Sequence, residues 1–148
     1  MLKGTLIHPE ILEALGTAGH GSRVLIADGN YPFATTLGAN ATLVSLNLCP
    51  GVVSVTQVLE ALVTAIPIEH AAVMATLKQG PYAMSDDPPI WGEFARILAA
   101  ADYDEELERI ERMDFYEEAA ADDVALVIAT AEQRIYANLL LRIGVVMP

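Results

Sequence analysis

Four short apolar runs, at residues 24–27, 70–76, 124–129 and 139–146, constrain this chain more than any other feature. Each has the length of a β-strand, and Val24, Leu25, Ile26 and Ala27 offer no polar side chain to water. A run of that kind is the pattern of a strand buried on both faces in a parallel sheet. Between the runs the period changes to that of helices. Residues 9–15 set Ile11, Leu12 and Leu15 on one face, with Pro9 in the first turn, where its missing N–H costs little. Residues 54–65 open on Ser54, a capping residue, and stop before Pro67. Residues 90–101 align Phe94, Ile97, Leu98 and Ala101 and give the clearest helical pattern. Residues 115–121 read as a short helix, residues 41–48 as extended and the proline-rich segment 79–89 as a surface loop. Residues 105–113 stay open, although Leu107 and Ile110 suit a helix. Strands alternating with helices imply an α/β fold, a single three-layer domain over residues 1–148 with a largely parallel central sheet flanked by helices.

Composition narrows the function classes. With 148 residues, 53% of them hydrophobic, the chain can bury a sizeable core without staples. Its one cysteine, Cys49, cannot form an intrachain disulfide, and the N-terminal residues lack the basic start and apolar core of a signal peptide, so a cytoplasmic protein is expected. No apolar run approaches the ~18 residues of a membrane span. A net charge of −12 repels phosphate backbones, which disfavours nucleic acid as a partner, and it suits a neutral substrate better than an anionic one. The high apolar content also predicts surface covered by further copies of the chain, a homo-oligomer.

Two polar words bracket the apolar runs. The first is Gly19-His20-Gly21, followed by the run that ends at Asp28 and by Gly29-Asn30-Tyr31-Pro32-Phe33; the second is Tyr136-Ala137-Asn138, which opens the last run. With Arg112-Met113-Asp114-Phe115-Tyr116-Glu117 and the closing Gly144-Val145, their order and spacing resemble the sugar mutarotase family that contains L-fucose mutarotase and D-ribose pyranase. The likeness runs from about Gly4 to Val145. The Arg112 to Glu117 word looks more like the fucose branch, and Tyr136-Ala137-Asn138 more like the ribose branch. The resemblance implies an isomerase that needs no cofactor and no metal, acting on a monosaccharide. His20 would be its acid/base group; Asp28, Arg112, Tyr136, Ala137 and Asn138 would bind the substrate; Tyr31, Tyr116 and Glu117 would support them. It also implies a strand near Arg109 to Met113, and a ring-like homo-oligomer, often a decamer, with sites between subunits. The rival readings are a D-ribose pyranase and a sugar-binding or regulatory module without turnover.

Read by chemistry alone, each residue has a plainer alternative. His20 titrates near neutral pH, but a glycine-flanked histidine after a helix is also an ordinary turn residue. Asp28 offers a carboxylate to a sugar hydroxyl or simply forms a turn with Gly29. Arg112 presents a rigid fork of donors or a solvated charge. Tyr31 or Trp91 can wall a sugar face. His8 and His70 lack spaced partners for zinc, and the glycines at 16, 19 and 21 stand in the wrong order, before a strand, for a dinucleotide fingerprint. Geometry adds one constraint. Fully extended, residues 20–28 would span on the order of 25 Å at ~3.3 Å per residue, more than a monosaccharide bridges. Either the glycines fold His20 back sharply or His20 reaches the site from a neighbouring subunit, and the second is the expectation here.

Overall fold

A computed structural model describes residues 2–148. The chain runs α1 (Pro9–Thr17), β1 (Arg23–Ala27), β2 (Thr42–Ser45), α2 (Val55–Leu62), β3 (Ile68–Met74), α3 (Pro89–Ala99), β4 (Glu108–Ile110), α4 (Arg112–Ala119), β5 (Val124–Ala129) and β6 (Leu139–Ile143). The six strands form one sheet in the order β2-β5-β1-β6-β3-β4. The pairs β2–β5, β5–β1 and β3–β4 are parallel, while β6 runs antiparallel to both its neighbours, β1 and β3. The segment that joins β5 to β6 contains no helix, so it cannot form the long crossover that a parallel return needs.

Because side chains alternate across a strand, each apolar run feeds two cores. Val24, Ile26, Leu126, Ile128, Leu139 and Leu141 face α1, α2 and α3 through Ile11, Leu59, Phe94 and Leu98. Leu25, Ala27, Ala72, Val127 and Leu140 face the opposite way, against Phe115 and Ala119 of α4 and against Tyr31. This is the expected three-layer domain. Val24 through Ala27 are fully buried, as a strand flanked on both faces must be.

Local chemistry explains the element ends. Ser54 accepts from the Gln57 N–H at 3.2 Å, and the Gln57 side chain accepts from the Ser54 N–H at 3.0 Å, a reciprocal cap for α2. Residues 105–113 divide between two elements: Glu108–Ile110 pair with β3, and α4 begins at Arg112, earlier than the predicted 115. The Glu111 carboxylate accepts from the Met113 N–H at 2.7 Å and caps that start. No helix among the described residues is long and apolar enough to cross a membrane.

Candidate functional site

Five strands point the same way, so the C-terminal ends of β1, β5, β3 and β4 and the N-terminal end of β6 share one edge of the sheet. Ligand sites of α/β sheets gather at this edge, because the chain leaves the sheet there and frees its backbone and side chains. Here it holds a cavity of about 330 Å³, at the small end of the ~300–1,000 Å³ of ligand pockets. Asp28, Asn30, Arg112 and Asn138 give it a polar side; Met74, Leu77, Tyr31, Tyr82, Tyr116 and Ile135 give it an apolar one.

Asp28 is the centre of the polar side. Its carboxylate accepts from the Asn30 N–H at 2.9 Å, the Asn138 Nδ2 at 3.1 Å and the Ala137 N–H at 3.3 Å. The Asp28 N–H in turn donates to Asn138 Oδ1 at 2.8 Å, so the first strand and the last are tied together at the site. Asp28 is only 3% exposed, and burial pushes its carboxyl above the ordinary range; the Asn30 and Ala137 N–H groups oppose that, and the nearby Glu132 charge adds to it. Gly29 follows because its N–H donates to the Glu132 carbonyl at 2.9 Å and a Cβ there would come within 3.1 Å of that oxygen.

Tyr136 is built into the wall in an unusual way. Its φ of +59° lies in the left-handed region, which costs a residue other than glycine about 1–3 kcal/mol. Its phenol donates to the Tyr82 carbonyl at 2.7 Å and accepts from the Leu77 N–H at 3.1 Å. The hydroxyl's single proton is thus committed to holding segment 77–82 over the cavity, and what remains for a ligand is one acceptor lone pair. Arg112 lines the cavity with its guanidinium 5.8 Å from the centre of the Tyr116 ring, and Tyr31 packs its ring 5.6 Å from that of Tyr116. The Tyr31 hydroxyl is buried without a hydrogen-bond partner among the described residues.

Three expectations need correction or division. Trp91 is no wall of the cavity: it is 5% exposed, packed in the α3 core, and its indole N–H donates to the Tyr136 carbonyl at 2.9 Å. Glu117 is turned off the site, onto an outer groove shared with Glu108, Glu111 and Asp114, because one residue beyond Tyr116 is a rotation of ~100° around the helix. Ala137 is fully buried and acts through its N–H on Asp28. Residues 79–88 are a loop, with the expected loop ending one residue early where α3 begins at Pro89, and Tyr82 within it is part of the cavity. Met74, Leu77 and Ile135 escaped the sequence reading, although their place at the end of β3, just beyond it and in the segment between β5 and β6 was the available signal.

His20 stands apart. It precedes β1, at the opposite edge of the sheet, where Gly21 (φ +83°) turns the chain and donates its N–H to the Ile143 carbonyl at 2.9 Å. The imidazole is exposed, and its Nε2 lies 2.8 Å from Glu69 Oε2. The glycines therefore do not fold His20 back, and the length of β1, about 16 Å at ~3.3 Å per residue, separates it from Asp28 in the same chain.

The profile of the RbsD / FucU transport protein family matches residues 1–146. Fucose mutarotase of Homo sapiens is 33% identical over 150 residues, covering 97% of this chain and 94% of that protein. D-ribose pyranase of Paracidovorax citrulli is 25% identical over 146 residues, covering 98% of each. The crystal structure of the fucose mutarotase of Streptococcus pneumoniae in complex with L-fucose superposes with a TM-score of 0.79 at 29% identity, over 95% of both chains.

Proposed function

Because this chain belongs to the RbsD / FucU family, we propose that it is a monosaccharide mutarotase, interconverting the anomers of L-fucose or a similar pyranose by general acid/base ring opening and closure. The observation that carries this reading is the two-sided cavity around Asp28. Carboxylate, amide and guanidinium groups at one side suit sugar hydroxyls, while Met74, Leu77 and Ile135 at the other suit the methyl group of a 6-deoxy sugar.

In the reaction a base removes the proton of the anomeric hydroxyl as the bond from C1 to the ring oxygen breaks, and an acid delivers a proton to that oxygen. The aldehyde rotates about its bond to C2 and closes on its other face, with the two proton transfers reversed. Acid/base groups suffice for every step. Asp28, Arg112 and Asn138 hold the hydroxyls, and Tyr136 adds an acceptor and, through its phenol, the position of Tyr82.

His20 exchanges the proton at the anomeric centre, supplied by a neighbouring copy. Its edge of the sheet carries the exposed apolar tail Val145, Val146 and Met147; the cavity edge carries the exposed Leu48, Val52, Tyr82, Met113 and Ile135. Two different apolar patches at opposite ends of one chain favour a head-to-tail contact, and repeated head-to-tail contacts form a ring when the rotation between copies closes. A ring-like cytoplasmic homo-oligomer, a decamer in the fullest form of the proposal, brings the His20 edge of one copy to the cavity edge of the next.

Saturation-transfer NMR on equilibrium mixtures of L-fucose and of D-ribose tests the function. Exchange between anomers of L-fucose is expected. Exchange confined to the ring forms of D-ribose would move the assignment to a pyranase, and binding of either sugar without exchange would make the protein a sugar-binding module.

A further inference from the structure

In the site, the peptide between Tyr136 and Ala137 is gripped from both sides. On one side its carbonyl accepts from Trp91 Nε1 at 2.9 Å; on the other its N–H donates to Asp28 Oδ2 at 3.3 Å. A trans peptide is planar and aims its C=O and N–H in opposite directions, so fixing one aims the other. Left-handed Tyr136 gives the chain the turn that places this peptide between the indole and the carboxylate, and such a conformation persists only where its surroundings hold it. Trp91, Tyr136, Ala137 and Asp28 are all buried, which strengthens these bonds against competition from bulk solvent. The indole is itself immobilised, with Ile90, Phe94 and Leu98 of its own helix in the same core and the Arg109 guanidinium 5.5 Å from its ring centre.

We propose that Trp91 is a positioning residue for the site, using its indole N–H to aim the Ala137 N–H at the Asp28 carboxylate through the peptide between them. This rests on the proposed function only in taking Asp28 as the carboxylate that meets the sugar. With the indole N–H in place the carboxylate keeps all three of its donors and one orientation. Without it the peptide is free to rock about Tyr136, and the carboxylate loses a donor that favours its charged form. The other groups that face Asp28 are Glu132, itself paired with Arg134, Arg112 and Tyr116 of α4, Tyr31, Tyr82 and Tyr136; of these only Tyr136 meets the indole N–H, and it does so through its backbone carbonyl.

Trp91 is the only tryptophan of the chain, which permits a clean test. Supplying benzothienylalanine in place of tryptophan exchanges this one indole for a ring of the same shape with no N–H. In the sugar-free protein, carbon NMR should then show the Asp28 carboxyl titrating at higher pH than in the unmodified protein. The Ala137 amide should exchange with solvent about tenfold faster or more. Trp91→Phe should move both readouts the same way in samples with a native sheet, and apparent affinity for L-fucose should fall about fivefold, as for loss of one hydrogen bond. An unchanged Asp28 titration with unchanged Ala137 exchange, in a folded protein, would overturn the proposal and leave Trp91 as core packing alone. Both readouts are taken without sugar, so they decide the role of Trp91 even if neither L-fucose nor D-ribose is turned over, an outcome that strikes the proposed function instead.

Discussion

Glu132 and Asp28 are both nearly fully buried beyond the ends of adjacent strands, β5 and β1, yet their carboxyls are pushed in opposite directions. Arg134 donates to Glu132 from Nε at 2.9 Å and from Nη2 at 2.9 Å, and these bonds hold the Glu132 carboxyl below its usual range against the cost of burial. Asp28 receives only neutral donors, so burial prevails and its carboxyl is raised. A buried carboxylate left without a cation is costly to keep, and such groups gather at functional sites. The sign of the linkage follows. A carboxyl raised in the folded state stabilises the protein fully below the unfolded value, ~3.9 for Asp, and that contribution is lost as pH rises through the folded value. Urea unfolding of wild type and Asp28→Asn between pH 3 and 7 should therefore show the difference in stability shifting against the wild type as pH rises above the usual carboxylate range. The fixed cost of placing an amide there cancels in that trend. At this scale Asp28 and Asn138 were legible because each stands where an apolar run meets a polar word. The role of Trp91 was not, because reading it as a sugar wall overlooked its spacing with Phe94 and Leu98, which turns it inward.

On α4 one helix covers the second face of the sheet and supplies the site. Phe115 and Ala119 are its buried residues, while Arg112 and Tyr116, one turn apart, reach the cavity. The helix is otherwise polar and short, so the cavity's wall depends on Phe115 as its anchor. Phe115→Ala should cost about 3–5 kcal/mol in urea unfolding, and in the folded fraction it should weaken sugar binding along with stability. The same sparse apolar content explains why its start and the strand before it could not be separated by periodicity. Glu108 to Ile110 make a strand by pairing with β3, a long-range fact absent from local pattern, and Glu111 begins the helix through a cap instead of through hydrophobic spacing. By contrast α2 and α3 each bury four residues of a clear stripe and were read within a few residues of their ends.

Across the whole molecule, the expected α/β sandwich is what the alternation of runs and helices dictates, and the strand directions follow it except for β6. The separation of His20 from Asp28 is equally a whole-molecule property: β1 crosses the sheet between them, so its two ends serve opposite edges. If each complete site joins two copies, mixing His20→Ala chains with Asp28→Ala chains should restore part of the sugar exchange that each lacks alone. No recovery in mixed oligomers verified by mass spectrometry would sink the shared site. The sheet's order has a consequence for how the protein is made. Its last strand, β6, lies between β1 and β3, so a nascent chain halted before residue 139 leaves two bare strand edges beside an unfilled gap. Synthesis must pass β6 before Asp28 can meet Asn138 in a closed sheet, and a ribosome that stalls short of it releases a sticky fragment instead of a weaker enzyme.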